Sequence, residues 1–238
     1  MAKTYLITGA NRGIGFELVR QALEGGCKVL ACTREAGRSK PLNSLIGKNG
    51  ELELLNFDVT SETAINRVAA NVSSKIDVVI CNAGVLNSYG GIEDEAHTSA
   101  AINSVLMTNV AGVFFTVRSF LPHLKKDNEN TFDGTIKGKI AIISSQMGSQ
   151  KTATERAPIY RASKAAATNL ARCFAVELAS DKIAVGAYHP GWVRTDMGGP
   201  TADVSASESA KGLLARVDLL SLKTSGVVES YSGKPIPF

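Results

Sequence analysis

Two polar side chains in the second half of the chain have the types and spacing that proton transfer requires. Tyr160 and Lys164 stand four residues apart in an alanine-rich segment, so a helix would place the phenol and the ammonium on one face. A free phenol has a pKa of about 10, and an adjacent ammonium is expected to lower it. Ser145 follows an apolar run, where its hydroxyl could hold a carbonyl oxygen beside the phenol. Taken alone, the pair would also fit a core tyrosine and a surface lysine.

Glycines near the start of the chain fit the binding of a diphosphate. The sequence of residues 8–15, T-G-A-N-R-G-I-G, lies between a short apolar run and a segment with helical periodicity. Gly9 permits a tight turn, Gly13 lets the backbone approach a pyrophosphate, and Gly15 lets the helix pack close to the strand. The helix N-terminus would then face the phosphates. Three glycines alone are weak evidence for a phosphate-binding turn. Their position between a predicted strand and a predicted helix strengthens that prediction.

The residues expected at the ribose end of a dinucleotide are basic. About 20 residues beyond the glycine turn, where an acid would hold a ribose diol, the chain has Arg34, and Arg12 already lies in the turn. Two guanidiniums suit a 2′-phosphate, which accepts paired charge-assisted hydrogen bonds. The sequence therefore favours NADP(H) over NAD(H). Glu35 is a competing acid one position further on, and both arginines would also fit solvated surface charges.

A turn after a later apolar run has groups that could hold a nicotinamide. Pro190 and Gly191 open this turn, which continues through Val193 to Thr195. Its backbone groups and the Thr195 hydroxyl could fix the carboxamide. Open α/β sheets carry their chemistry at the carboxyl ends of the strands, so this turn and Ser145 are expected at the same edge.

Short β-branched apolar runs alternate with longer helical segments along the whole chain. This alternation predicts an α/β fold, a doubly wound seven-stranded parallel sheet with helices on both faces, in one domain covering residues 1–238. The predicted strands are 5–8, 28–32, 52–56, 76–81, 139–144, 183–188 and 226–230. The predicted helices are 13–24, 61–72, 101–125, 159–180 and 205–220, and a polar loop is predicted at 127–138.

Composition argues against several classes of partner. The 26 basic and 22 acidic residues are spread along the chain, so no nucleic-acid partner is expected. No apolar stretch is expected to reach the roughly 20 residues that span a bilayer, so no membrane partner is expected. Four cysteines and three histidines lack the spacing of metal ligands, which predicts reduced thiols and no metal site. The chain enters its first strand without a signal peptide, and a cytoplasmic location is expected.

Taken together, these motifs resemble the short-chain dehydrogenase/reductase family over essentially the whole chain. The shared features are the T-G-x-x-x-G-x-G turn, the serine after the fifth strand, the Y-x-x-x-K pair and the P-G turn. The resemblance implies a single-domain Rossmann fold and an NADP(H)-dependent oxidoreductase that reduces a carbonyl to an alcohol. Its partner would be a small-molecule carbonyl or alcohol substrate, and a homo-oligomer, dimer or tetramer, is expected.

The resemblance also implies which residues meet the cofactor. Cys81 to Gly84 resemble an N-N-A-G motif that supports the central sheet and meets the adenosine ribose, with a cysteine replacing the first asparagine. Asp58 matches the residue that meets adenine, with Val59 beside it. The implied cofactor contacts are Gly9, Asn11, Arg12, Gly13, Ile14, Gly15, Arg34, Asp58, Val59, Asn82, Ala83, Gly84, Tyr160, Lys164, Pro190, Gly191, Val193 and Thr195.

The implied catalytic set is Asn109, Ser145, Tyr160 and Lys164. In this resemblance Asn109 holds a water that links Lys164 to solvent and permits a proton relay. The residues alone leave a second interpretation open, in which Asn109 is a polar residue that kinks a helix.

Spacing and loop sequence point to one branch of the family. Ser145 and Tyr160 are fifteen residues apart, slightly more than is usual, so the extra residues should fall in a loop over the active site. With segments 145–149 and 232–238, this resembles the branch of C-factor-like proteins and Sniffer-type carbonyl reductases, which uses NADPH where activity is known. The resemblance to C-factor leaves a second function open, that of a cofactor-binding signalling or regulatory protein with little or no turnover. An epimerase or dehydratase is disfavoured because the chain is short for a sugar-nucleotide domain.

Overall fold

The fold is known from a computed structural model that describes residues 2–47, 50–126 and 136–238. The strands are β1 (Thr4–Thr8), β2 (Lys28–Thr33), β3 (Glu51–Asn56), β4 (Val78–Cys81), β5 (Gly138–Ile143), β6 (Ile183–His189) and β7 (Val227–Ser230). They form one parallel sheet in the order β3-β2-β1-β4-β5-β6-β7, which confirms the predicted architecture. Most of the predicted loop at 127–138 lies outside the described residues.

Helices cover both faces of this sheet. They are α1 (Gly13–Glu24), a short α2 (Lys40–Asn43) that the periodicity did not predict, α3 (Glu62–Asn71), α4 (Ser99–Leu106), α5 (Gly112–Lys125), α6 (Pro158–Glu177) and α7 (Ala206–Leu219). In β1, Leu6 packs in the core under α3, α5 and α6, whereas Tyr5 and Ile7 pack under α1 and α7. Side chains on both faces are buried, so the three middle residues of the strand are all apolar instead of alternating with polar ones.

The helix predicted at the middle of the chain is longer than expected and is interrupted. It runs over Ser99–Lys125 as α4, a π-helical turn at Met107–Ala111 and α5. By length and composition alone it could cross a membrane, so the expectation that no apolar stretch is this long was wrong. One side of α5 packs on the sheet, with Val113 and Phe120 in the core. Asn109 lies inside the π turn, and such turns often occur at functional sites.

The order of the strands changes direction between β1 and β4. β2 and β3 extend the sheet on one side of this point, and β5, β6 and β7 extend it on the other. The connections leave on opposite faces there, and a crevice opens at the carboxyl ends of the strands. The glycine turn follows β1, Gly84 follows β4, Ser145 follows β5 and Pro190 follows β6, so all four lie at this edge.

Candidate active site

A cavity of about 340 Å³ opens at the carboxyl edge of the sheet. Ser145, Tyr160 and the turn from Pro190 to Thr195 form its walls, together with Ile14 from the first turn of α1. None of the described side chains that line it is acidic, lysine or arginine. Burial lowers the pKa of His189, the one histidine in the wall, to about 4, so its imidazole is neutral. In the described part of the chain, no group of three or more His, Cys, Asp or Glu side chains could hold a metal ion.

Tyr160 and Lys164 share one face of the first two turns of α6, as their spacing predicts. The Lys164 Nζ lies 5.7 Å from the centre of the Tyr160 ring and donates to the Ile143 carbonyl oxygen at 2.8 Å. Burial lowers the pKa of Lys164 to about 8. Burial, with a smaller effect of Tyr89, raises the pKa of Tyr160 to about 12, while the Ser145 hydroxyl acts in the opposite direction. The phenol pKa is thus raised where the sequence predicted a lowering, because desolvation by burial is the largest effect on it.

Ser144 and Ser145 directly follow β5 but have different surroundings. The buried Ser144 hydroxyl donates to the Lys164 carbonyl oxygen at 3.0 Å, which ties the strand to α6. The Ser145 Oγ accepts the Met147 N–H at 3.1 Å and lies in the cavity wall with Tyr160. Since this bond uses a lone pair of Oγ, the Ser145 O–H remains able to donate to an oxygen in the cavity.

Asn109 is buried, and its amide is held on both sides. Its Oδ1 accepts the Val85 N–H at 2.8 Å, while its Nδ2 donates to the Val85 carbonyl oxygen at 2.9 Å and to the Ser163 Oγ at 3.0 Å. A Cβ added to Gly84 would lie 3.3 Å from the Lys164 Nζ and 3.4 Å from the Asn109 Oδ1. Asn109 thus ties the segment after β4 to α6. Its role in holding a water stays a prediction.

Three glycines give the turn after β1 its shape. Gly9 and Gly13 have φ values of 65° and 54°, in the left-handed region that glycine adopts without strain. A Cβ added to Gly15 would lie 2.1 Å from the Gly9 carbonyl oxygen, so no larger residue fits there. A Cβ added to Gly13 would lie 3.1 Å from the Thr195 Cγ2, which shows that the two predicted cofactor-binding turns face each other. Asn11 is exposed at the tip of the turn.

Asn82 joins the end of β4 to the glycine turn. Its Nδ2 donates to the carbonyl oxygens of Thr8 and Gly9 at 2.9 and 3.2 Å. The Thr8 Oγ1 accepts the N–H groups of Asn82 and Ala83, each at 3.1 Å. Cys81, which replaces an asparagine of the family motif, is buried, and burial raises the pKa of its thiol to about 12. The motif therefore supports the central sheet, while its contact with a ribose stays a prediction.

Arg12 and Arg34 have exposed side chains, and each faces an acid. The Arg12 Nη1 lies 2.5 Å from the Asp196 Oδ2, and the Arg34 Nη1 lies 4.0 Å from the Asp58 Oδ2. Val59 is buried beside Asp58. Exposed ion pairs are weak, so both guanidiniums can exchange these partners for another anion. Nothing in the sequence indicated Asp196, and the role of the two arginines at a 2′-phosphate stays a prediction.

Loop side chains complete the cavity. The sequence favours segments 87–97 and 195–207 as pocket lining, but within the loops it singles out neither Tyr89 nor Met147 nor Met197. Tyr89 and Trp192 stand at its mouth, each 49% exposed, and the Trp192 Nε1 donates to the Gly198 carbonyl oxygen at 2.8 Å. Met147 and Met197 also line it. These side chains come from three loops that are distant in sequence, so no local pattern could have grouped them.

The fold and the site define an α/β protein of the dinucleotide-binding class, with a glycine turn after β1 and polar groups at the strand ends. The model of the short chain dehydrogenase family matches residues 3–205, and the chain belongs to that family.

Known proteins similar to this chain include carbonyl reductases. The NADPH-bound carbonyl reductase from chicken fatty liver is 32% identical, with 100% of this chain and 99% of that chain covered and a TM-score of 0.88. The carbonyl reductase Sniffer of D. melanogaster is 27% identical, with both chains covered completely and a TM-score of 0.92.

Two further proteins that are similar in sequence are not named as carbonyl reductases. The tetrahydroxynaphthalene reductase of Pyricularia oryzae is 32% identical over 200 residues, which are 82% of this chain and 66% of that protein. The C-signal protein of Myxococcus xanthus is 33% identical over 172 residues, which are 71% of this chain and 98% of that protein. The chain therefore spans only about two thirds of the length of the first of these relatives.

Proposed function

We propose that this protein is an NADP(H)-dependent oxidoreductase that reduces an uncharged carbonyl compound to an alcohol, with Tyr160 as the general acid. The observation that carries the proposal is the convergence of the Tyr160 and Ser145 hydroxyls on one cavity, with the buried Lys164 behind the phenol. The similarity to an NADPH-bound carbonyl reductase supports it.

The residues at the carboxyl edge fit a phosphorylated dinucleotide. The N-terminus of α1 and the bare backbone of Gly13 suit a pyrophosphate, and Arg12 and Arg34 suit a 2′-phosphate. Asp58 would meet the adenine, and the 190–195 turn would hold the nicotinamide. When bound, NADPH supplies the hydride that reduces the carbonyl carbon.

Tyr160 protonates the oxygen of the substrate. With its pKa raised to about 12, the phenol stays protonated at neutral pH, yet it is a stronger acid than the alcohol whose alkoxide it protonates. Ser145 donates a second hydrogen bond to the same oxygen and stabilises the negative charge as it develops. The Lys164 ammonium favours the phenolate that remains, and Asn109 holds α6 against the segment after β4.

The cavity wall favours substrates without charge. Tyr89, Trp192 and Met197 give the mouth an apolar and aromatic surface, and the described lining offers no cation to a carboxylate or phosphate. A neutral ketone, aldehyde or quinone with an apolar substituent therefore fits better than a keto acid.

The test is consumption of NADPH and of NADH, in parallel, with a panel of quinones, α-dicarbonyls, aldehydes and ketones. Tyr160→Phe removes the proton donor, so turnover should fall on the order of 10²- to 10⁴-fold. Cofactor affinity should change little, and quenching of Trp192, the single tryptophan of the chain, measures it. Tyr231→Phe, outside the cavity, is the matched control. Turnover by Tyr160→Phe comparable to that of the unsubstituted protein would contradict the assignment.

A cofactor-binding signalling or regulatory protein is the second candidate, because the chain is also similar to the C-signal protein. The same panel separates the two: NADPH binding without consumption on any carbonyl favours the regulator. The assignment of residues 1–238 to one domain, the homo-oligomeric state and the cytoplasmic location stay predictions.

A further inference from the structure

The residue after Tyr160 holds the loop that leads from Ser145 to α6. The Arg161 guanidinium donates four hydrogen bonds, all to this loop, and the side chain is half-buried. Its acceptors are the carbonyl oxygens of Met147, Thr152 and Arg156 at 3.1, 2.9 and 2.9 Å and the hydroxyl of Thr154 at 2.7 Å. A single side chain of α6 therefore spans most of the segment that is longer than usual in the family.

The loop in turn determines the surroundings of the Ser145 hydroxyl. The carbonyl oxygen of Met147 accepts a hydrogen bond from Arg161, and the N–H of the same residue donates to the Ser145 Oγ at 3.1 Å. Gly148 donates its N–H to the Ser145 carbonyl oxygen at 2.9 Å. A Cβ on Gly148 would lie 2.7 Å from the Ala165 N, so this turn rests directly on α6. A shift of the turn would therefore move the hydroxyl.

We propose that Arg161 is a positioning residue, which holds the backbone of Met147 so that the Ser145 hydroxyl and the Met147 side chain face the cavity beside Tyr160. The inference rests on the proposed function, in which Ser145 acts on the substrate oxygen. Consecutive residues of a helix point about 100° apart. Tyr160 can therefore line the cavity while Arg161 reaches the loop. One turn of α6 thus carries both the proton donor and the residue that holds the loop next to Ser145.

The chemistry of the guanidinium suits this task. Arginine offers five N–H donors in a rigid plane, and the four bonds here reach acceptors on separate parts of the loop. A lysine has its donors on one nitrogen, so Arg161→Lys should restore only part of the function. All four acceptors are uncharged, so added salt should not release the loop.

The kinetic test compares Arg161→Gln, Arg161→Lys and a matched control, Arg172→Gln, at an exposed position of the same helix. For a carbonyl reduced by the unsubstituted protein, kcat should fall about ten-fold in Arg161→Gln, because small displacements of a reacting group slow the chemical step strongly. The kcat of Arg161→Lys should lie between that of Arg161→Gln and that of the unsubstituted protein. The Kd of NADPH should not change in either variant. If Arg161→Gln and Arg172→Gln have the same kcat and KM, the proposal is overturned.

A second measurement does not depend on catalysis. Trypsin can cut the loop after Lys151 and Arg156, and both are exposed. Mass spectrometry should show cleavage about ten-fold faster in Arg161→Gln than in Arg172→Gln, because the loop opens more often. Equal cleavage rates overturn the anchoring, and faster cleavage with unchanged kcat overturns the link to Ser145. If no carbonyl is reduced at all, the proposed function fails, while the cleavage rates still decide whether Arg161 holds the loop.

Discussion

The buried ammonium of Lys164 should make the stability of this protein rise with pH above neutrality. Burial lowers the pKa of Lys164 from 10.5 to about 8, so between these values the unfolded chain binds more protons than the folded one. Stability then increases with pH in this window by about 1.4 kcal/mol per unit. Below pH 8, burying the charged ammonium lowers the free energy of unfolding by the full amount of about 3 kcal/mol. At pH 9.5 about 1 kcal/mol of this destabilisation remains.

The assay is urea unfolding at pH 7 and pH 9.5 without cofactor, for the unsubstituted protein and for Lys164→Met. Methionine keeps the length of the side chain and removes the charge. The difference in free energy of unfolding between the two proteins should move by about 2 kcal/mol in favour of the lysine as the pH rises. This corresponds to a relative shift of about 4–8 °C in Tm for a chain of this size.

Taking the difference between the two proteins removes the other titrating groups, which both share. Lys211→Met, at an exposed position of α7, is the control and should follow the unsubstituted protein at both pH values. A difference between the unsubstituted protein and Lys164→Met that is constant from pH 7 to pH 9.5 would refute the reasoning. The Lys164 ammonium would then be hydrated in the folded state to the same degree as in the unfolded one.

Two further predictions concern the glycine turn and its acid neighbour. Thr8→Val removes the acceptor of two N–H groups in segment 82–83, so the free energy of unfolding should fall by about 1–3 kcal/mol in thermal or urea unfolding. Thr8→Ser keeps the acceptor oxygen, so its free energy of unfolding should fall much less. Equal decreases in Thr8→Ser and Thr8→Val would contradict the argument. Asp196→Asn removes the competitor for Arg12, so calorimetric titration should show NADPH binding tightened about two- to five-fold, with Asp203→Asn unchanged. Weaker binding by Asp196→Asn would show that the acid assists the cofactor instead.

Much of the fold and part of the site follow from local features of the sequence. The apolar runs predicted all seven strands, because the central strands are covered on both faces and bury successive residues, whereas the edge strand β3 still alternates. The glycines after β1 and the spacing of Tyr160 and Lys164 act within one turn of chain or two turns of helix. Ser145 could be placed beside them because strand ends share an edge.

The full lining of the cavity could not be predicted from local features of the sequence. Tyr89, Met147 and Trp192 come together only because three loops fold over one strand edge, and the anchoring by Arg161 depends on the path of one of them. The partner of Arg12 likewise comes from a distant turn.

Spacing alone placed Lys164 beside Tyr160, since a helix sets that distance within a few residues of the chain. Their protonation was decided by the tertiary structure. Burial keeps the phenol protonated and weakens the hold of the ammonium on its proton, because both lose hydration when α6 packs on the sheet. That loss depends on every segment packed around the pair, and no local stretch of sequence contains it.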